Sequence, residues 1–360
     1  MPATSTIVSP DDPTLEDLCQ ALAERADALD VAGTWPSEQL ALCRQAGVFG
    51  WFVPSEWGGT GWNDFDLLRA YLKLSAACLS TTFVLTQPHG ACRRIVASEN
   101  DDLKARVLPG LAQGDRLATV GISHLTTSRR HLARPVLAAR ADGDGFILEG
   151  TIPWVTGAVE ADLIVTGATC DDGRQILALL PTGAPGVTPL APAQLVGLTS
   201  TRTGEVRCEG VKLGGEWLLD GPVEGVLTRG RGAGTGGLQT SALAIGQASA
   251  AIGYLQRQAT ERPDLVPAAA ALRGEHRELE AELLALAAGT PAASYDDLRS
   301  RANSLVLRAA QGALAAAKGS GYVAGHPVGR WCREALFFLV WSCPQPVMAA
   351  ALCELAGLDG

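Results

Sequence analysis

No Cys-x-x-Cys pair occurs among the nine cysteines, no block of lysine and arginine occurs in the 360 residues, and no apolar run reaches the roughly 18 residues of a membrane span. Each absence excludes a class of protein. Cysteines at 19, 43, 78, 92, 170, 208, 332, 343 and 353 are odd in number and widely scattered, which suits neither a disulfide framework nor a zinc site. Free thiols in a reducing compartment are expected, with no metal. A net charge of -9 without a basic patch excludes a nucleic-acid footprint. The first residues, MPATSTIVSPDDPTLEDL, carry no positive region followed by an apolar core, so a cytoplasmic protein without membrane contact is expected. What is present is apolar residue content of 47% against 19% charged, carried by alanine more than by long aliphatic runs. Such a composition predicts helix-helix interfaces, in a chain long enough for two or three packed units.

Leu15, Leu18, Leu22 and Leu29 recur at helical spacing over residues 14–29, with Glu16 and Asp17 in the first turn. A second helix is predicted over 37–46, capped by Ser37 and stopped by Gly47. Residues 48–61, VFGWFVPSEWGGTG, are apolar but broken by proline and glycines, which predicts a packed turn. The pattern over 64–87 predicts one long helix and that over 91–98 another, completing a helical domain over 1–115. From Leu117 short strands alternate with turns such as Asp142-Gly143-Asp144-Gly145 and Asp171-Asp172-Gly173. A small β-barrel or sandwich is expected over 116–222. Helical periodicity then returns over 236–261, 272–288, 295–317 and 329–356, the last interrupted by Pro344 and Pro346. A bundle over 223–360 completes an α+β chain.

Two stretches fix a resemblance. GDGFILEGTIPWVT, residues 143–156, is similar to the acyl-CoA dehydrogenase signature G-D-G-(F/Y)-x-(L/I)-x-G-x-x-x-W-(I/V)-T, and Val53-Pro54-Ser55-Glu56-Trp57-Gly58-Gly59-Thr60-Gly61 resembles that family's early loop V-P-x-E-(W/Y)-G-G-x-G. Residues 197–213 resemble its last strand, and the order of helices, β unit and helices is the family's from about Leu18 to about Leu355. The resemblance implies an N-terminal helical domain, a middle β-barrel or sandwich and a C-terminal four-helix bundle. It also implies FAD, with Trp154 covering the flavin ring, Thr156 hydrogen-bonding it, and the strand through Ile122 and Ser123 offering backbone and hydroxyl groups to its pyrimidine edge. A small substrate, an acyl-CoA in the family's usual case, and a homo-oligomer, dimer or tetramer, are further implications.

Departures from the family collect around the chemistry. Ser123-His124-Leu125 replaces T-E-P; His124 is either a solvent-side loop histidine or an imidazole beside the flavin. Thr126-Thr127-Ser128-Arg129-Arg130 stands where A-G-S-D is usual, its arginine pair open to a phosphate or simply solvated. Arg262 matches the arginine of R-x-x-F-G, but Pro263-Asp264-Leu265 follow it. Lys318-Gly319-Ser320-Gly321-Tyr322 keeps two glycines of the G-G-x-G-(F/Y) turn that approaches the ADP moiety. Ser342 stands in the position of the catalytic glutamate, and the family's other base position, at Thr235-Gly236-Gly237-Leu238-Gln239, holds no carboxylate. Removing a proton α to a thioester needs a positioned base, which an unassisted serine is not. His124 and Glu334 are the remaining candidates. Three readings stay open: an FAD-dependent oxidoreductase with an atypical site, a flavin-dependent monooxygenase on the same fold, and an inactive or half-site subunit of a hetero-oligomer.

Overall fold

The computed structural model describes residues 6–126, 135–228, 237–290 and 294–358. Helix α1 (Pro13–Ala32) begins where the Asp12 carboxylate accepts the Thr14 amide at 2.9 Å and ends where Gly33, at φ 61°, folds its N–H back onto the Leu29 carbonyl. Leu15, Leu18, Leu22 and Leu29 form its buried stripe. In α2 (Ser37–Gln45) the cap position belongs to Pro36 and carries no side-chain bond, because Ser37 is already helical. Residues 48–61 form the packed turn, built on two 3-10 segments, Val48–Phe52 and Ser55–Trp57.

The apolar stretch after Asn63 is two helices, not one. α3 (Asp64–Ala77) stops at Cys78, which is extended at φ -154° and ψ 101°, and α4 (Leu79–Ala97) runs through Pro88 to absorb residues 91–97. At the junction Cys78 keeps backbone bonds to both helices, donating to the Leu74 carbonyl at 2.9 Å and accepting the Thr82 amide at 3.1 Å, while the Thr82 hydroxyl adds a bond to its carbonyl at 2.8 Å and Thr81 lies 3.3 Å from its thiol. The apolar period continues across the break and conceals it. α5 (Asp101–Ala112), capped by Asn100, ends the first helical group.

Strand β1 (Ala118–Gly121) leads through a single turn, α6 (Ser123–Thr126), toward β2 (Leu137–Asp142), β3 (Gly145–Val155), β4 (Leu163–Cys170), β5 (Gln175–Pro181), β6 (Val187–Pro189), β7 (Gly204–Leu213) and β8 (Leu218–Val223). The sheet order is β6-β7-β3-β2-β4-β5-β8, with β1 pairing parallel to β4. Both faces of its centre are buried. Leu163, Val165, Leu177 and Leu179 join the helical core, while the alternate residues Ile164, Ala168, Ile176 and Ala178 join a second core with Ile152, Val155 and Val206.

Helix α7 (Leu238–Ala259) packs on α3, on α8 (Val266–Ala287) and on α9 (Tyr295–Ala317). Contact with α3 is close: a Cβ on Gly246 would lie 2.4 Å from the Leu72 carbonyl oxygen. α8 starts six residues before the expected 272, because Pro267 falls in its first turn, where a missing N–H costs nothing. The last stretch divides into α10 (Pro327–Ala335), a 3-10 segment Leu336–Leu339, and α11 (Gln345–Leu355), with Pro344 at the cap of α11. Among the described residues no helix is long and apolar enough to cross a membrane.

Candidate functional site

A cavity of about 1140 Å³ opens between the sheet and the two helical groups. That exceeds the usual roughly 300–1,000 Å³ of a small-molecule site, leaving room for more than one ligand. Ile122, Ser123, Trp154 and Thr156 form its sheet wall.

An irregularity in β3 aims Trp154 into this space. Ile152 pairs with Val206 and Val155 with Gly204, so three steps along β3 oppose two along β7. The extra residue lets Ile152 and Val155 both enter the sheet core and expels Trp154 to the other face, where it is 51% exposed. Strict alternation in the sequence hides this.

Beside the indole runs a row of hydroxyls. Thr156 lies 3.1 Å from Thr203, and Thr203 lies 2.9 Å from Thr201; all three line the cavity. Thr119 donates to the Thr156 carbonyl at 2.7 Å and fixes the strand end. The Ser123 hydroxyl is buried at the same wall and has no hydrogen-bond partner. A buried hydroxyl left so costs about 1–3 kcal/mol, a cost that a ligand can remove.

The helical wall carries Gln239 in the first turn of α7 and the segment Phe337 to Ser342. Phe337 stacks on Trp341 at 5.1 Å, and Phe83 meets both edge-on at 4.8 Å. Arg299 donates to the Trp341 carbonyl at 2.6 Å and Asn303 to that of Phe338 at 2.9 Å, so α9 holds the segment in place. Ser342 lines the cavity with φ at 43°, a left-handed conformation. Behind Gln239 its amide nitrogen lies 3.0 Å from Nδ1 of His89, which is also 2.9 Å from the Tyr71 hydroxyl. Burial, reinforced by Arg93 and Arg94, pulls the His89 pKa down to about 3, so this imidazole is neutral.

Both remaining acid-base candidates lie elsewhere. His124 is buried rather than on the solvent side: its Nε2 lies 2.7 Å from the Gly167 carbonyl, and burial lowers its pKa. The turn of α6 directs it into the sheet, and it is not at the cavity wall. Glu334 is fully buried and likewise absent from the wall. It receives Arg330 at 3.1 Å, Ser80 at 3.3 Å and Gln247 at 3.3 Å, while Arg330 also reaches Asp27 at 2.9 Å. Burial pushes the Glu334 carboxyl up against the pull of Arg330, and the carboxylates of Glu334 and Asp27 outweigh burial to keep Arg330 charged.

The three residues matched to the adenine end are also away from the cavity. Arg262 donates to the Ala316 carbonyl at 2.7 Å. Gly319 faces open space, whereas a Cβ on Gly321 would lie 2.7 Å from that of Ala317, so packing against α9 alone requires this glycine. Thr127 to Arg130, and Thr235 and Gly236, lie outside the described residues. Sequence reasoning missed Arg93, Arg94, Thr201, Thr203 and the aromatic trio at the wall. A signal existed for Arg94, since Gln87, Gly90 and Arg94 follow at helical spacing on one face of α4.

The family model "Acyl-CoA dehydrogenase, N-terminal domain" matches residues 14–115. The Bacillus subtilis protein named "Probable acyl-CoA dehydrogenase YngJ" is 27% identical over 248 residues, 67% of this chain and 65% of its own length. The match thus spans just under two thirds of that relative. Among solved structures, the glutaryl-coenzyme A dehydrogenase complex with glutaryl-CoA superposes at a TM-score of 0.80 with 22% identity, covering 95% of both chains. Nitrososynthase from Micromonospora carbonacea var. africana superposes at 0.79 with 21% identity, covering 97% of this chain and 95% of its own.

Proposed function

We propose that the chain is a member of the acyl-CoA dehydrogenase family and an FAD-dependent oxidoreductase acting on a small substrate, a CoA thioester or a related compound, in the cavity between sheet and helices. The observation that carries this reading is the sheet wall. A half-exposed indole, an unpartnered buried hydroxyl and a row of threonine hydroxyls stand together, as a flat ring with a polar edge requires. The residues present fit the ring end of the cofactor. Trp154 would cover the ring, while Ser123, Thr156 and the backbone at Ile122 would meet its edge. Bound there, the flavin would supply two-electron chemistry. Arg262, Gly319 and Gly321 would serve the adenine end only across a subunit interface, which goes with a homo-oligomer.

The helical wall narrows the reaction. Ser342 and Gln239 are neutral at physiological pH, and the only carboxylates lining the cavity among the described residues are the exposed Asp64 and Asp296. Neither known base position can take a proton from carbon. This favours a second reading on the same site, a monooxygenation with dioxygen as oxidant and an external reductant, in which no α-proton is removed.

Purification and a visible spectrum test the first step. Two oxidised-flavin bands, present as isolated or on adding FAD, are expected; a colourless protein that stays apo overturns the flavoenzyme and leaves a structural subunit. Anaerobic mixing of the yellow protein with acyl-CoA thioesters separates the two chemistries. Persistence of the flavin bands favours monooxygenation, and rapid bleaching favours dehydrogenation with a base other than residue 342 or 239.

A further inference from the structure

One wall of the cavity is unlike the rest. α4 presents Thr86, Gln87, Gly90, Arg93 and Arg94 to it, a polar strip on a helix whose other faces are buried among apolar residues. Arg94 is 8% exposed and lines the cavity; its guanidinium donates to the Gly90 carbonyl at 2.9 Å, one turn back. A Cβ at Gly90 would meet Val120 tightly at 3.3 Å and the guanidinium at an ordinary contact distance of 3.5 Å, so the helix passes close to β1 here. Burial and the neighbouring Arg93 pull the Arg94 pKa down only to about 10, so the group stays charged. Arg93 is exposed, makes no ion pair among the described residues, and lines both this cavity and a second one of about 530 Å³ that shares Asp64 and Leu67 with the first. Two guanidiniums adjacent in sequence therefore line the first cavity, and Arg93 continues into the second beside the neutral, buried His89, with Asp64 at both.

We propose that Arg93 and Arg94 form an anion-recognition subsite, so that the substrate carries a carboxylate or phosphate which α4 binds. The inference rests on the oxidoreductase reading of the cavity and names the substrate class for it. Planar guanidiniums match the oxygens of either anion, and hydrogen bonds to charged groups contribute more than neutral ones in a partly buried site. An acyl chain ending in a methyl group would offer the pair no charge-assisted bond, which disfavours simple fatty acyl groups.

Adipoyl-CoA and hexanoyl-CoA, equal in carbon number and differing in a terminal carboxylate, test the carboxylate arm by calorimetric titration of FAD-loaded protein. Wild type is expected to bind adipoyl-CoA at least about tenfold more tightly, the effect of one charge-assisted pair. In Arg93→Gln and Arg94→Gln that ratio falls toward one. Arg94→Lys, which keeps the charge in the buried position, retains part of it and guards against loss through misfolding. Pyrophosphate tests the phosphate arm on apo and FAD-loaded protein alike, with binding expected to weaken in both glutamine variants. The subsite is overturned if neither anion's binding depends on either arginine, an absence of binding included. FAD affinity is measured separately: its absence defeats the flavin reading, while pyrophosphate binding to apo protein still reports on the arginine pair.

Discussion

Two polar clusters in this molecule are built from similar parts and end differently. Around Glu334, a carboxylate, two arginine contacts to Asp27 and Glu334, a serine and a glutamine close on one another in the helical core, with Glu334 fully buried and only the Gln247 Oε1 of the cluster's side chains named here left without a partner. Around Trp154, the hydroxyls of Thr156, Thr201 and Thr203 form a row that stops at open space, and Ser123 finds no partner. A closed network positions helices; an open one has bonds left for a ligand. The carboxylate that attracts attention in the sequence belongs to the closed cluster.

Glu334→Ala tests the contrast most severely. Removing the carboxylate leaves Arg330 buried with one partner fewer, and breaking a buried pair in this way costs roughly 3–5 kcal/mol. Urea unfolding should show that loss, while whatever protein folds keeps its FAD affinity. Intact stability combined with lost turnover would move Glu334 into the reacting site and erase the distinction.

His89 lies on the boundary, sealed from solvent yet touching Gln239 at the cavity wall. Its pKa falls from 6.5 to about 3 on folding, chiefly through burial. Between those values the unfolded chain binds the extra proton, so its contribution is full above pH 6.5 and declines as the pH falls. From pH 6.5 to 5 the loss is about 2 kcal/mol, at about 1.4 kcal/mol per unit. His124 and His276 shift in the same direction, so the readout is the difference between wild type and His89→Gln in denaturant unfolding at each pH. Parallel pH profiles would show that this imidazole is solvated in the folded protein.

Periodicity made the helices and the alternating strands legible, because 3.6- and 2-residue repeats need no tertiary information. The junction at Cys78 was not legible, since the one extended residue there sits within an unbroken apolar pattern. Nor was the step in β3 that exposes Trp154, because bulges appear only in the register with β7. The family resemblance matched Trp154, Thr156, Ile122 and Ser123 to flavin-facing positions, and the fold brings all four to one wall. Glu334 shows the opposite limit: a carboxylate's identity says nothing about whether Arg330 has already claimed it.

The gentlest test is a single oxygen atom. Ser123 Oγ is buried at the cavity wall without a partner, so Ser123→Ala removes a desolvated hydroxyl and no hydrogen bond from the unliganded protein. Its stability should be unchanged or slightly higher in urea. If the flavin edge supplies the missing partner, the same substitution weakens FAD binding by about 1 kcal/mol, roughly fivefold, in fluorescence titration. A residue of the closed cluster would show the reverse, a stability loss without an affinity loss. Ser123→Ala with unchanged FAD affinity would mean that this hydroxyl does not meet the ring, and the flavin site would then rest on Trp154 and Thr156 alone.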